Sequence, residues 1–340
     1  MRNYLRSLII LLIGGALAYW FISRLEWDVI SVHFQRMKVW PVGLAILFAG
    51  GTLLLRSFRW QTLLGPITPS SLANVFAATT VGFGSIFVLG RAGEVVRPVY
   101  LSLRERIRPS ATIATILIER LFDTTTVVTM FSVNLLFFSL PENTAANAAT
   151  LRSMRLLGLL MTAGVAAGIL VLVVIRLKSE ALLGWMEKVT ARFPEKITRP
   201  LLNLLRHLAE GLSVLTNARL LARAVLQSCA VWAFVVMQTL LVGLAFGASL
   251  SPGHAIFVMG FGLVGSVVPT PGGSAGAFHK AVQEGLKFLG YEENLSAAIA
   301  IVFHLVAFGT PFVMALFYLL KDKISFAQLR EMIAEENVAP

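Results

Sequence analysis

Two carboxylates and an arginine fall within five residues of an otherwise apolar run, Glu119-Arg120-Leu121-Phe122-Asp123. A spacing of four places Glu119 and Asp123 on one face of a helix. Counted from Ala111, they lie roughly 12 Å and 18 Å along it. Three roles are open to them: a clamp with Arg91, Arg97 or Arg120, the holding or relaying of a proton, and the turning away of a wrong ligand group. A second set surrounds glycine, in Gly90-Arg91-Ala92-Gly93-Glu94 followed by Arg97-Pro98, and a third is Pro269-Thr270-Pro271-Gly272-Gly273. Backbone N–H groups freed at such breaks, backed by Arg91 and Arg97, would receive an anionic group such as a phosphodiester. The plainer reading has both arginines reaching to a polar surface. His279 follows the third set, and His304 stands near Pro311; either imidazole titrates near neutral pH or serves as hydrogen-bonded packing.

The elements that position these residues follow from composition. The 340 residues are 56% hydrophobic and 14% charged, against about 25% charged in soluble domains. This excludes a soluble globule and a disordered chain and leaves an integral membrane protein. Six windows have the roughly 20 apolar residues that a helix needs to cross a bilayer: Leu5–Ser23, Val39–Leu55, Ile113–Leu140, Leu156–Ile175, Leu226–Phe246 and Ser296–Leu320. The first imitates a signal peptide, yet its apolar run continues through Tyr19-Trp20-Phe21-Ile22, as in an uncleaved anchor. Two more stretches, Leu72–Gly90 and Ala255–Val268, are interrupted by glycine and proline.

With an inside amino terminus and six crossings, 21 of the 29 Lys and Arg residues fall on the cytoplasmic side. That bias follows the positive-inside rule, so the net charge of +11 calls for no nucleic acid. Both termini are expected inside. The broken stretches each hold a Gly-Phe-Gly triplet, Gly82–Gly84 and Gly260–Gly262. Three clean spans separate them, so two re-entrant helical hairpins would enter from opposite faces. The expected fold is all-α: six full spans plus two re-entrant hairpins in an inverted-topology repeat. Its single membrane domain, 1–325, has halves at about 39–140 and 224–320, a cytoplasmic interfacial helical hairpin at 176–223 and a polar tail at 326–340. Eight crossings with kinks are the alternative.

The chain resembles the membrane domain of the lysylphosphatidylglycerol synthase/flippase family. The resemblance rests on Gly90–Glu94 with Arg97-Pro98, on Glu119–Asp123, on Pro269–Gly273 followed by Gly276, and on Arg56-Ser-Phe-Arg-Trp60. It covers about Val39 to Leu320 and implies a multi-pass fold that handles phospholipids or lipid-linked molecules between leaflets. Bifunctional relatives add a soluble aminoacyl transferase, which has no counterpart in this sequence, so lysyl transfer is not carried over. His279 stands where a Glu is expected, with Glu284 further along.

The expected function is therefore translocation of a phospholipid or lipid-linked anionic molecule across a bacterial inner membrane, through a polar cavity near the midplane. The substrate-binding residues would be Arg91, Gly93, Glu94, Arg97, Glu119, Arg120, Asp123, Pro271, Gly272, Gly273, His279 and His304. ATP-binding, hydrolase-elbow and metal-binding patterns are absent from the sequence, so a transporter without cofactor or metal is expected rather than an enzyme, with an integral transferase acting on lipid-linked sugar as a third reading that lacks metal-binding carboxylate spacing. The alternative is a non-transporting scaffold whose 176–223 hairpin docks a lipid-modifying enzyme or glycosyltransferase. A homo-oligomer is compatible with either.

Overall fold

A computed structural model describes residues 26–65, 68–90, 93–107, 109–139, 148–178, 217–268 and 271–324, together with Ser23 and Gly184. Among these residues every regular element is helical. All of the expected span 5–23 but Ser23, most of the 176–223 hairpin and the 326–340 tail lie outside the described residues.

A short helix α1 (Trp27–Arg36) leads into α2 (Val39–Leu64). Ser71 starts α3 (Leu72–Leu89) by accepting the Asn74 N–H, and Gly90, at φ 59°, ends it in a conformation that favours glycine. After the break come α4 (Gly93–Glu105), α5 (Pro109–Leu136) and α6 (Ala148–Leu177). Asn217 caps α7 (Ala218–Ala245), and Ser251 with Pro252 opens α8 (Pro252–Ser266). A turn at Pro271–Ser274 precedes α9 (Ala277–Phe288). The last helix, α10 (Glu293–Asp322), contains one π-helical turn at Leu305–Gly309, just ahead of Pro311, which has no N–H to give the ladder.

Five of these helices, α2, α3, α6, α7 and α10, are long and apolar enough to cross a membrane. Helix α5 is 28 residues long but carries Glu119, Arg120 and Asp123 at its middle. Leu47, Leu160, Leu226, Val313 and Leu320 are exposed along the spans, as suits a surface facing lipid. The chain is a multi-pass membrane protein.

The two broken stretches are antiparallel helical hairpins. In the first, Gly82 meets Arg97, Gly93 crosses the backbone of Ser85 and Ile86, and Glu105 accepts from the Ser71 N–H and Asn74. In the second, Gly262 meets Phe278 and Val282, Gly265 meets Ala277, and Gly285 meets Phe261. The Gly-Phe-Gly triplets therefore sit inside α3 and α8 rather than at the breaks; Gly82 and Gly262 admit the partner arm, and Gly84 and Gly260 admit α10 and α5. A Cβ on Gly93 would stand 2.5 Å from the Ile86 nitrogen.

The sequence of long helix, hairpin, long helix occurs twice, as α2 to α5 and as α7 to α10, with α6 between. Helices α2 and α7 pack antiparallel: Lys38 donates to the Ala245 carbonyl, Gln238 to Thr52 and Arg59 to Ser228. Helix α3 runs antiparallel to α10, with Phe76 on Tyr318 and Phe87 on Phe312. Helix α8 runs antiparallel to the end of α5, with Gly253 on Asn134 and Gly260 on Phe131. These contacts set the open end of the first hairpin beside Asp322 and that of the second beside Ser139, at opposite ends of the bundle. The Pro271–Ser274 turn packs against α3.

Helix boundaries correct two sequence expectations. Helix α2 runs on to Leu64, so Arg56 and Arg59, which follow the expected window Val39–Leu55 and fall among the 21 Lys and Arg residues expected on the cytoplasmic side, are core residues; their charges are held by acids on α5. Arg219 and Arg223 belong to the first turns of α7 rather than to a separate interfacial hairpin.

Candidate functional site

The charged residues converge where α2, α4 and α5 meet. Glu119 is fully buried, and its two oxygens take Arg59 Nη2 at 2.9 Å and Arg97 Nη1 at 2.7 Å. Asp123 takes Arg59 Nη1 at 2.7 Å, Arg56 Nη1 at 3.0 Å and Arg120 Nη2 at 3.0 Å. Trp232 and Ser228 of α7 close the cluster, the indole N–H donating to Asp123 and the hydroxyl accepting from Arg59. Two carboxylates thus hold four guanidinium groups, and this junction keeps excess positive charge in the protein interior. Of the three roles open to Glu119 and Asp123, the geometry supplies the clamp.

Aromatic faces cover the arginines. The Arg97 guanidinium lies 3.9 Å from the Trp60 ring centroid, and Trp60 is itself anchored by donation to Thr115. Phe83 sits below three guanidiniums, those of Arg56, Arg97 and Arg120, at 4.8, 5.6 and 5.7 Å. Gly82 and Gly84 explain how a phenylalanine reaches that place. A Cβ on Gly82 would strike Arg97, and one on Gly84 would strike Ala315 and the Pro311 carbonyl, so α4 and α10 close on either side of the ring.

Beside the cluster a narrow cleft is lined by Gly82, Phe83, Ile86, Glu94, Arg97, Ile116 and Arg120, with room for about one water molecule. Arg97 and Arg120 each retain a buried Nε–H without a partner. Orphaned donors of charged groups are rare and costly, and they suit an acceptor-rich anion. Glu94 lies within electrostatic range of Arg120.

His279 and His304 form a separate junction. Their rings are 4.6 Å apart and steeply inclined, and the His304 Nε2 lies 3.1 Å from the Gly273 carbonyl. Gly272 and Gly273 adopt left-handed conformations, and Ser274 follows at φ 64°. Phe278 and Phe308 pack on His304, as does Phe87 of the first hairpin. Phe83 and Phe87 are one turn apart on α3, so this helix joins the two junctions, with about 6 Å of rise between them.

The expected site residues therefore fall into two groups rather than one wet pocket. Glu94, Arg97, Glu119, Arg120 and Asp123 gather at the charged junction, with Gly93 at the crossing of its hairpin arms. Pro271, Gly272, Gly273, His279 and His304 gather at the second. Arg91 lies outside the described residues. Arg56, Arg59, Trp60, Phe83, Ser228 and Trp232 are additional site residues. The signal for the two arginines is their spacing of three, which continues the helical face of α2 past the apolar window. Among the described residues no cluster of His, Cys, Asp and Glu could hold a metal ion.

No curated protein matches this chain. The family model described as the lysylphosphatidylglycerol synthase TM region matches residues 7–315. The chain belongs to that family.

Proposed function

We propose that this family member moves a phospholipid, or another lipid-linked anionic molecule, between the leaflets of a bacterial inner membrane, as a transporter rather than an enzyme. Membership of the family supports a role connected with membrane lipids. The finer reading rests on one observation: buried guanidiniums outnumber their carboxylate partners at the middle of the bundle, beside a cleft that two unpaired Nε–H donors border. A charge excess of this kind is tolerated at membrane depth where an anion visits.

In this reading the two hairpins are re-entrant, enter from opposite faces and belong to an inverted repeat with both termini cytoplasmic. The antiparallel pairing of α2 with α7 supports it, since equivalent helices of an inverted repeat run in opposite directions. A phosphate oxygen arriving in the cleft meets Arg120, whose side chain is 32% exposed and shares Asp123 with Arg56 and Arg59. Arg120 is free to turn toward the headgroup because Asp123 keeps its other two partners. Arg97 stays on Glu119 through Nη1 and offers Nε. The acyl chains remain in the bilayer. With room for about one water molecule, the cleft must widen before a headgroup enters.

The test is redistribution of labelled phosphatidylglycerol between leaflets in proteoliposomes. The wild-type protein is expected to accelerate it over protein-free vesicles. Arg120→Gln should cut that acceleration about tenfold, the loss of one charged hydrogen bond, with little change in folded yield. Equal rates for both proteins would remove Arg120 from the site, and wild-type rates equal to those of empty vesicles would refute translocation.

A further inference from the structure

The carboxylates of the first junction are each held by several arginines, which leaves them poorly placed to exchange a proton. The imidazoles of the second junction have a different setting. We propose that His279 and His304 form a proton-binding site that controls the tip of the second hairpin, so that acidification releases the tip and speeds lipid movement. The lipid half of this statement rests on the translocation reading; the release of the tip does not.

Hydrogen-bond roles define the neutral state. A carbonyl only accepts, so His304 Nε2, 3.1 Å from the Gly273 oxygen, carries its ring's proton. His279 Nδ1 accepts from the Gly276 N–H at 3.4 Å, at the first turn of α9. That contact needs an unprotonated Nδ1. Adding a proton there turns the acceptor into a donor facing a donor and sets a positive charge at a helix N-terminus, where the macrodipole opposes it. It also places that charge against the second imidazole, 4.6 Å away.

The rings of Phe87, Phe278 and Phe308 surround His304. Helix α3 has no ionisable residue, and α10 has none between His304 and Tyr318. On α9, Lys280, Glu284 and Lys287 form a chain of ion pairs that ends on Glu293 of α10, at 2.5, 3.6 and 3.1 Å. The ionisable side chain of α8 is His254, at the far end of that helix beside Ser139. Arg56 and Arg59 of α2 are committed to Asp123 and Glu119.

The element being controlled has two visible holds. Ser274 Oγ donates to the Ser266 and Val268 carbonyls, at 3.1 and 2.8 Å, and His304 donates to Gly273. Gly273 also lies so close to the Phe308 ring that a Cβ there would stand 2.8 Å from it. The closed tip thus favours neutral imidazoles, whereas an opened tip hydrates them. Protons bind the open form more tightly, and falling pH shifts the population toward it, by at most about tenfold per pH unit for one proton.

The experiment is hydrogen exchange of the protein in lipid nanodiscs between pH 8 and pH 5.5, corrected for the intrinsic pH dependence of exchange. Segments within 271–288 should open more readily at low pH, by about threefold or more given one titrating proton, while segments within 113–130 should not. The double variant His279→Gln, His304→Gln keeps an acceptor and a donor without a titrating ring and should lose the dependence. An unchanged dependence in the double variant, or a flat wild type, overturns the proposal. If the tip responds to pH while labelled phosphatidylglycerol never moves, translocation fails and the proton site stands. If lipid moves while the tip ignores pH, the reverse holds.

Discussion

The two hairpins share an antiparallel, glycine-mediated build, yet their junctions with the long helices are filled by opposite chemistry. At the first, two acids on α5 gather four arginines from three helices. At the second, two imidazoles and a ring of phenylalanines close around a left-handed glycine turn. On the readings proposed above, the first junction holds an anion and the second responds to proton concentration. Similar backbone geometry therefore sets the frame, and the residues at the meeting points decide what each half can do.

Substitutions at the two junctions should separate most widely in stability. Glu119→Leu leaves Arg97 buried without a carboxylate and Arg59 with Asp123 alone, a loss of about 3–5 kcal/mol. His304→Leu strands one carbonyl, at about 1–3 kcal/mol. Thermal unfolding of the purified proteins in one detergent measures the gap, and equal losses would mean that the charged junction is not the stronger lock. Glycine positions should instead behave alike. Gly93→Ala and Gly265→Ala put a Cβ 2.5 Å and 2.7 Å from backbone atoms of the opposite arm, and each should cost about 1–3 kcal/mol through overpacking. A large loss at one position alone would break the equivalence of the hairpins.

The smallest effect concerns the start of α10. Slight desolvation pushes the carboxyl of the exposed Glu292 up, but donation from the Asn294 and Leu295 N–H groups, with His33 nearby, holds it below the ordinary range. A lowered folded value contributes stability that is complete above the ordinary glutamate value of about 4.3 and is lost as the pH falls through the lowered one. Glu292→Ala should remove about 1 kcal/mol at pH 7, with a smaller deficit in acid, read from unfolding curves at both pH values.

The helical class, the glycine breaks and the shared face of Glu119 and Asp123, with a clamp to Arg91, Arg97 or Arg120 as one of its three open roles, were legible because their signals are local: apolar length, glycine spacing and a separation of four. Arg56 and Arg59 were not, since a hydropathy window stops at the first charge, while the helix continues wherever a distant acid receives that charge. The separation of His279 and His304 from the arginines was equally hidden. Linear order says which residues stand near a break, but Phe83 and Phe87, one turn apart on α3, set which junction each hairpin meets. The contact of Gly93 with the Ser85–Ile86 backbone is likewise a tertiary fact, because a glycine beside an arginine reads equally well as an anion loop.

The opposed entry of the two hairpins is tested most directly by labelling from each side of the membrane. In a Cys229→Ser background, Arg106→Cys and Tyr291→Cys mark the open ends of the first and second hairpins. A membrane-impermeant maleimide should reach position 106 only from the cytoplasmic face and position 291 only from the opposite face. Labelling of both from the same face would contradict the opposed hairpins and, with them, the inverted repeat.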